Sequence, residues 1–192
     1  APDPLPFVTP WWFDQWTPLL RDHSRLALSG PVLAYARGGT SSHVVATRDG
    51  GVVVITESVN HWFGSLLVPP GTGLVLNNIM DDFSTLPFRP DQFDLVPTAL
   101  NEVQAGKRPV SSSTPTIWMQ NGKPRLLVGS AGGPRITTSV AQILLHSRWS
   151  ECNIQQAVTA PRVHHQWHPD HLEVEPQVNS WLRDELAELG HV

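Results

Sequence analysis

The sequence predicts an α+β fold, because hairpin signals and helix signals occur in separate runs along the chain. Two hairpins are predicted where β-branched and apolar segments flank tight-turn sequences, Arg48-Asp49-Gly50-Gly51 in the first and Asn121-Gly122 in the second. A helix is predicted from Arg135, where apolar residues recur at the spacing of one helix face. We therefore expect an antiparallel sheet with helices packed on it.

The remaining elements follow from local composition and periodicity. Residues 1–39 begin rich in Pro and Trp, carry a helix-like stretch over 16–28, and are predicted to be a tail rather than a domain. Runs of β-branched and apolar residues predict strands over 43–47, 52–58, 73–77, 114–119, 124–128 and 171–175. Helical spacing predicts helices over 135–147, 153–159 and 178–189. The Pro-rich segment 85–110 lacks periodicity and is predicted to be an irregular loop.

The bulk composition narrows the class of protein. The 192 residues carry a net charge of −4 without a long basic run, which argues against nucleic acid as a partner. The single Cys152 excludes an internal disulfide and a cysteine-built zinc site. No apolar run reaches the ~20 residues of a membrane span, and the first residues lack a signal-peptide pattern. Because the chain has no initiator Met, we expect it to be part of a longer protein.

The Gly38-Gly39-Thr40 junction is the most informative local feature. A glycine turn there opens directly onto Thr40 and the first hairpin. If the bond between Gly39 and Thr40 is cut, Thr40 gains a free α-amino group beside its own hydroxyl. A threonine whose own amine serves as the base is a known activated nucleophile. The alternative is an ordinary threonine at the start of a strand.

Several ordered motifs over residues 38–175 resemble the small catalytic subunit of the γ-glutamyltranspeptidases, also called glutathione hydrolases. The motifs are LNNIMDDFS at 76–84, KRPVSS at 107–112, AGGPRITT at 131–138 and APRVHHQW at 160–167. The resemblance implies part of an αββα N-terminal-nucleophile (Ntn) hydrolase sandwich, with residues 40–192 as the small subunit. Residues 1–39 would then be the end of the large subunit, still attached.

The same resemblance implies a reaction and a set of partners. The precursor would cut itself before Thr40, and Thr40 would then attack γ-glutamyl compounds such as glutathione. The glutamyl group would pass to water or to an acceptor amine, with no cofactor. The implied partner is the large subunit of the same precursor. The implied location is the cell surface or secretory pathway, with anchoring through a region outside this chain.

Eight residues receive roles from the resemblance. The catalytic group comprises the nucleophile, a hydroxyl beside its amine, and two backbone N–H donors for the oxyanion: Thr40, Ser58, Gly132 and Gly133. The substrate group holds the α-carboxylate and the α-amino group of the glutamyl head: Asn60, Ser111 and Ser112 for the carboxylate, and Asp82 for the amine. In the family, Ser58 is a second threonine, and serine keeps its hydroxyl but lacks the methyl that restricts the rotamer.

Two registers compete at the nucleophile. Family members commonly carry Thr-x-His there, and aligning Ser41 with that threonine would keep His43 as the histidine. That alignment requires a gap before the Asp49-Gly50 turn and reverses the faces of the strand. Using Thr40 keeps the turn and Ser58 in line without a gap, so we favour Thr40.

Two further features keep other functions open. Ile79 stands where the family usually has Gln or Glu as a second acceptor for the substrate amine. An ammonium group that lacks one of its hydrogen-bond partners loses roughly 1–3 kcal/mol of binding free energy. The alternatives are therefore a non-catalytic binding or scaffold protein, or hydrolysis of a different amide by the same threonine. Four histidines suggest a metal site, which we disfavour because no Cys lies near: His164, His165, His168 and His171.

Overall fold

The computed structural model describes residues 39–84, 90–91, 93–96, 98–150 and 152–191. The tail 1–38, with its predicted helix over 16–28, lies outside the described residues. Within them the α+β prediction is confirmed, although the strands pair as three separate two-stranded antiparallel ladders rather than as one sheet. The elements in chain order are β1 Thr40–Ala46, β2 Val52–Ser58, β3 Thr116–Gln120, β4 Lys123–Val128, α1 Arg135–Trp149, α2 Ile154–Thr159, β5 Val163–His164, β6 Glu173–Val174 and α3 Ser180–Glu188.

The first predicted hairpin is confirmed and begins three residues earlier than expected. β1 and β2 pair in antiparallel register from Thr40 opposite Ser58 to Ala46 opposite Val52. Burial alternates along both strands, so one face turns toward the protein and the other toward solvent. Thr40 and Ser58 occupy opposite positions at the open end of the hairpin.

The second predicted hairpin is also confirmed. Asn121 and Gly122 take positive φ angles of 52° and 74°, as a two-residue hairpin turn requires. The register shifts between Trp118 and Met119, where Met119 pairs with Pro124, which has no backbone N–H to donate. The C-terminal end of β4 is buried where it packs against the helices.

The predicted helices α1 and α2 build the core with the end of β4. Helix α1 buries one face through Ile136, Val140 and Ile143, against Val128 and Ala157. Helix α2 begins at a capping box in which the Asn153 side chain accepts from the Gln156 N–H and the Gln156 side chain accepts from the Asn153 N–H. The packing of these apolar side chains joins α1, α2 and the end of β4.

The predicted strand over 73–77 is wrong. Within the described residues, two backbone hydrogen bonds connect it to the preceding chain, both at Leu76: from Ser65 N to Leu76 O and from Leu76 N to Leu67 O. Gly71 and Gly73 have positive φ angles of 78° and 65°, which turn the chain before a ladder can extend. An apolar run alone therefore did not make a strand.

The C-terminal region differs from the prediction in its boundaries. The strand expected over 171–175 is reduced to β6, which pairs with the two-residue strand β5 that the sequence did not predict. The predicted final helix is present as α3, within the expected range. The described part of 85–110 is irregular apart from a short turn at Ala99–Asn101. Among the described residues no helix has both the length and the apolar character of a membrane span.

Candidate active site

The open end of the first hairpin places two hydroxyl groups against each other. Thr40 Oγ1 lies 2.8 Å from Ser58 Oγ, and Thr40 is only 9% exposed. Ser41, the competing candidate, is exposed on the opposite face of β1, where His43 forms a hydrogen bond with Glu57 at 3.0 Å. The strand alternation thus turns the Thr40 hydroxyl inward and the Ser41 hydroxyl outward.

Asn60 extends this pair toward a carboxylate. The Asn60 backbone N–H donates to Ser58 Oγ at 2.9 Å, and its side-chain amide donates to Asp82 Oδ1 at 2.6 Å. Asn60 is 3% exposed and takes a positive φ of 72°, a conformation that asparagine tolerates better than most residues. Four predicted site residues therefore form one continuous hydrogen-bonded chain: Thr40, Ser58, Asn60 and Asp82.

The Gly39 backbone, which supplies the carbonyl of the peptide bond before Thr40, is hydrogen-bonded at both its N–H and its C=O. The Gly39 N–H donates to Asn60 O at 2.7 Å, and Gly39 O accepts from the Val59 N–H at 2.9 Å. A Cβ built on Gly39 would overlap the Val59 side chain and lie 2.6 Å from His61 O, so this position requires glycine. The carbonyl preceding Thr40 is therefore fixed and polarised by a hydrogen-bond donor.

Ile79 lies beside this chain in the short turn Ile79–Asp82 and is half-buried. Its backbone N–H donates to Asn77 Oδ1 at 3.0 Å. Its side chain offers no hydrogen-bond acceptor. The segment that carries Asp82 therefore presents a carboxylate at 82 and an apolar side chain at 79.

Ser111 and Ser112 are connected to Asp82 by a residue that sequence reasoning missed. The Asn101 side chain donates to Asp82 O at 2.7 Å and accepts from the Val110 N–H at 3.0 Å, so it joins the segment of Asp82 to the segment that leads into Ser111. Ser112 O also accepts from Thr114 Oγ1 at 2.9 Å. Asn101 sits in an irregular loop, where no periodic signal distinguishes a bridging asparagine from a solvated one.

The Gly132-Gly133 pair lies in a loop that starts beside the first hairpin. A Cβ built on Gly129 would overlap Ser42 Oγ, so the backbone after β4 runs directly against β1. Gly132 and Gly133 have positive φ angles of 127° and 59°, a combination that favours glycine. Within the described residues, their N–H groups donate to no protein acceptor, as oxyanion donors require.

His164 is buried beneath the first turn of α1. Its Nδ1 lies 2.8 Å from Thr138 Oγ1 and its Nε2 lies 2.9 Å from Gln166 Oε1. Burial lowers the pKa of His164 below its ordinary value of 6.5, and the Arg135 charge lowers it further, while the Gln166 hydrogen bond opposes them. His164 is therefore a neutral, structural histidine at neutral pH.

Glu173 binds the same arginine. Arg135 Nε donates to Glu173 Oε2 at 2.6 Å, and the second guanidinium nitrogen donates to the other oxygen. Burial raises the pKa of Glu173, but the hydrogen bonds and charge of Arg135 outweigh it, so the pKa lies below its ordinary 4.5. This pair fixes β6 to the start of α1.

These two shifts predict loss of stability in acid. A histidine that folding keeps neutral binds fewer protons when folded, so the free energy of unfolding falls as pH drops below about 6.5. The Glu173 contribution is present above about 4.5 and is lost as pH falls further. Urea titrations between about pH 7 and pH 5 should show a fall in the free energy of unfolding with falling pH that His164→Gln reduces. Equal slopes for both proteins would contradict this assignment.

The other histidines of the late motif have separate partners. His165 Nε2 lies 3.1 Å from Asp170 Oδ1, and His171 Nε2 lies 3.6 Å from Glu173 Oε1. The Trp167 and His168 rings lie on the surface with their centroids 4.3 Å apart and their planes tilted by 56°. In the ranges that the structure describes, no three His, Cys, Asp or Glu side chains are grouped so as to hold a metal ion.

Comparison with characterised sequences identifies relatives over most of the chain. A sequence model of the Gamma-glutamyltranspeptidase family matches residues 20–192. The glutathione hydrolase proenzyme of Escherichia coli K12 is 42% identical over 146 residues, which cover 76% of this chain and 25% of that protein. The putative inactive glutathione hydrolase 4 of Arabidopsis thaliana is 38% identical over 134 residues, or 69% of this chain and 70% of that protein. The chain thus spans a quarter of the length of the bacterial relative.

Solved structures of the same family share the fold. A threonine-to-alanine mutant of Helicobacter pylori gamma-glutamyltranspeptidase superposes with a TM-score of 0.75 at 41% identity, over 79% of this chain and 82% of that one. An acivicin-inhibited gamma-glutamyltranspeptidase, described as having a C-terminus critical for autoprocessing and catalysis, gives 0.76 at 41% identity, over 79% and 81%. The described residues are part of an N-terminal-nucleophile hydrolase sandwich, and the chain belongs to the gamma-glutamyltranspeptidase family.

Proposed function

We propose that this chain carries the catalytic subunit of a γ-glutamyltransferase or glutathione hydrolase whose nucleophile is Thr40. The observation that supports this most directly is the buried hydrogen-bonded chain from Thr40 through Ser58 and Asn60 to Asp82. It connects a hydroxyl nucleophile with a carboxylate that suits an ammonium group. Residues 1–39 are proposed to be the end of the large subunit, which lies in the same precursor.

The first proposed step is self-cleavage. Water is added across the Gly39–Thr40 peptide bond, which leaves a carboxylate on Gly39 and a free amine on Thr40. The Val59 N–H polarises the Gly39 carbonyl, and the Thr40 hydroxyl lies next to that carbonyl in sequence. Ser58 orients the hydroxyl at 2.8 Å. The relatives named proenzymes are consistent with such a cut.

The second step is acyl transfer. Thr40 Oγ attacks the γ-carbonyl of the donor, and the freed Thr40 amine accepts the hydroxyl proton and returns it to the departing amine. The oxyanion receives hydrogen bonds from the Gly132 and Gly133 N–H groups. Water or an acceptor amine then attacks the ester and releases the glutamyl group. The bonds and protons of these steps balance without a metal ion or a redox group.

The proposed donor pocket holds both charges of the glutamyl head. The Asp82 carboxylate binds the α-ammonium, and Asn60 with Ser111 and Ser112 binds the α-carboxylate. Asn101 sets the spacing between these two parts, because it hydrogen-bonds both segments. The large subunit is proposed to complete the pocket, and the parent protein is proposed to act at the cell surface or in the secretory pathway.

Ile79 favours a second candidate, the hydrolysis of a different amide by the same threonine. With isoleucine at 79, the α-amino group of a γ-glutamyl substrate can bind Asp82 but has no acceptor at position 79. A donor without an α-amino group would lose less there than a γ-glutamyl compound. A non-catalytic role is the third candidate, since one relative carries the name of an inactive glutathione hydrolase.

Substitution of Ile79 distinguishes these candidates. In the full-length protein, Ile79→Gln should lower the KM for a γ-glutamyl anilide by about tenfold, because one more acceptor for the ammonium is worth roughly 1–3 kcal/mol. The release of the aniline chromophore measures it. Leu189→Gln, at a side chain that is 77% exposed beyond α3, is the matched control and should leave KM unchanged.

Each candidate has its own outcome in this assay. Chromophore release by the wild type, with a lower KM for Ile79→Gln, supports γ-glutamyl chemistry. Self-cleavage without release from the γ-glutamyl anilide supports the different amide. A wild type that remains uncut contradicts both enzymatic proposals.

A further inference from the structure

We propose that Gln166 is a positioning residue for the oxyanion loop: its side chain fixes the Phe93 backbone so that the Phe93 ring holds Gly133 in place. The proposal rests on the proposed oxyanion role of Gly132 and Gly133. Gln166 is 73 residues from Phe93 in sequence and lies outside the eight residues given roles above.

The orientation of the Gln166 amide is determined by its neighbours. Its side-chain nitrogen donates to Phe93 O at 2.9 Å and to His168 O at 3.0 Å. Because both partners are carbonyl oxygens, that atom must be the amide nitrogen. Gln166 Oε1 therefore accepts from the Nε2–H of His164 at 2.9 Å, and the neutral His164 accepts the Thr138 hydroxyl proton at Nδ1. All hydrogen-bonding atoms of the Gln166 side chain are used.

Phe93 is held by its backbone at both ends. Its N–H donates to Asp91 Oδ1 at 2.7 Å, and its carbonyl accepts from Gln166. Asp91 is itself fixed because the same oxygen accepts from the Leu95 N–H at 3.0 Å. With both the N–H and the C=O anchored, the direction in which the ring leaves the backbone is set. A loop residue is thereby aimed at a defined target.

The target of the Phe93 ring is Gly133. A Cβ built on Gly133 would lie 2.7 Å from both Cδ1 and Cε1 of the ring, so the ring occupies the space that a side chain would take. Gly133 is buried and has a φ of 59°, a conformation that glycine leaves readily because it has no side chain to restrict it. Contact with the ring restricts that freedom and fixes the direction of the peptide N–H groups.

This arrangement predicts which kinetic constant changes. Oxyanion donors stabilise charge that develops only in the transition state, so a misaimed donor lowers kcat and leaves KM near its original value. A small displacement at such a group costs on the order of tenfold to a hundredfold in rate. Residues that only support folding would not separate the two constants in this way.

The test combines a spectroscopic and a kinetic measurement on the full-length protein. 4-Fluorophenylalanine at position 93 reports the environment of the ring by ¹⁹F NMR. Gln166→Leu removes both the donor and the acceptor, and Gln166→Glu keeps the acceptor for His164 but loses the donor to Phe93 O. Both should move the fluorine resonance toward its solvent-exposed value. With γ-glutamyl-p-nitroanilide, both should lower kcat about tenfold and change KM less than about twofold.

Gln155→Leu is the matched control, since Gln155 is exposed on α2. It should leave the resonance and both kinetic constants unchanged. An unmoved resonance in both Gln166 variants overturns the proposal, as does a moved resonance with unchanged kcat. If the wild type neither cuts itself nor releases nitroaniline, the proposed function fails and the oxyanion role fails with it. A moved resonance would then show that Gln166 holds Phe93 as a structural contact only.

Discussion

Replacing Thr40 with alanine is expected to leave the full-length precursor as a single uncut chain and to lower its activity by about a thousandfold or more. The substitution removes the hydroxyl of the residue that follows the Gly39 carbonyl, which faces inward on β1 and lies 2.8 Å from Ser58 Oγ. Intact-mass spectrometry measures the cut directly. The wild type should give two fragments that meet between Gly39 and Thr40, and the variant should give one mass.

Two control variants make this prediction specific. Ser41→Ala changes an exposed hydroxyl on the opposite face of the same strand, and it should cleave like the wild type. Thr40→Ser keeps the hydroxyl and should cleave more slowly, because serine lacks the methyl that restricts the rotamer. If Ser41→Ala blocked cleavage and Thr40→Ala did not, the competing register would be correct.

Removing the charge of Glu175 should destabilise the protein by about 3–5 kcal/mol, since Glu175→Gln removes the carboxylate that pairs with the buried Arg162 guanidinium. Arg162 and Glu175 are 11% and 9% exposed, and Arg162 Nε and one terminal nitrogen both donate to Glu175 Oε1 at 3.2 Å. The backbone of Arg162 also donates to this carboxylate at 3.0 Å. Thermal unfolding measures the effect, with an expected drop in midpoint on the order of 10 °C.

An exposed ion pair provides the comparison. His43 and Glu57 lie 3.0 Å apart, but their side chains are 56% and 69% exposed, so Glu57→Gln should cost less than about 1 kcal/mol. Arg162→Met combined with Glu175→Leu should be less harmful than Glu175→Gln alone, because both charges of the pair are removed together. Equal midpoint shifts for Glu175→Gln and Glu57→Gln would contradict the assigned burial.

The Arg162–Glu175 ion pair is connected to the candidate site through strand β5. Arg162 immediately precedes β5, and Glu175 immediately follows β6, so their ion pair closes the two-residue ladder that carries His164. His164 in turn contacts Thr138 at 2.8 Å in the first turn of α1. A residue pair distant from Thr40 in sequence thus supports the first turn of α1, which follows the Gly132-Gly133 loop.

The sequence was sufficient wherever the controlling interactions are local. The turns Asp49-Gly50 and Asn121-Gly122 set both hairpins, and the periodicity from Arg135 set α1. The Asp49-Gly50 turn also sets the register that places Thr40 opposite Ser58. The sequence failed at 73–77, where an apolar run looked like a strand but, within the described residues, only Leu76 has backbone hydrogen-bond partners.

By itself, then, the sequence determined the α+β class, the motifs of the family and the two main hairpins, because turn residues and side-chain periods act over a few neighbouring positions. Only the tertiary structure decided that Asn60 reaches Asp82 across 22 residues and that Gln166 reaches Phe93 across 73. Such contacts form when loops without periodic patterns are brought together by the packing of distant elements. No local signal in Asn101 or Gln166 distinguishes a bridging amide from a solvated one.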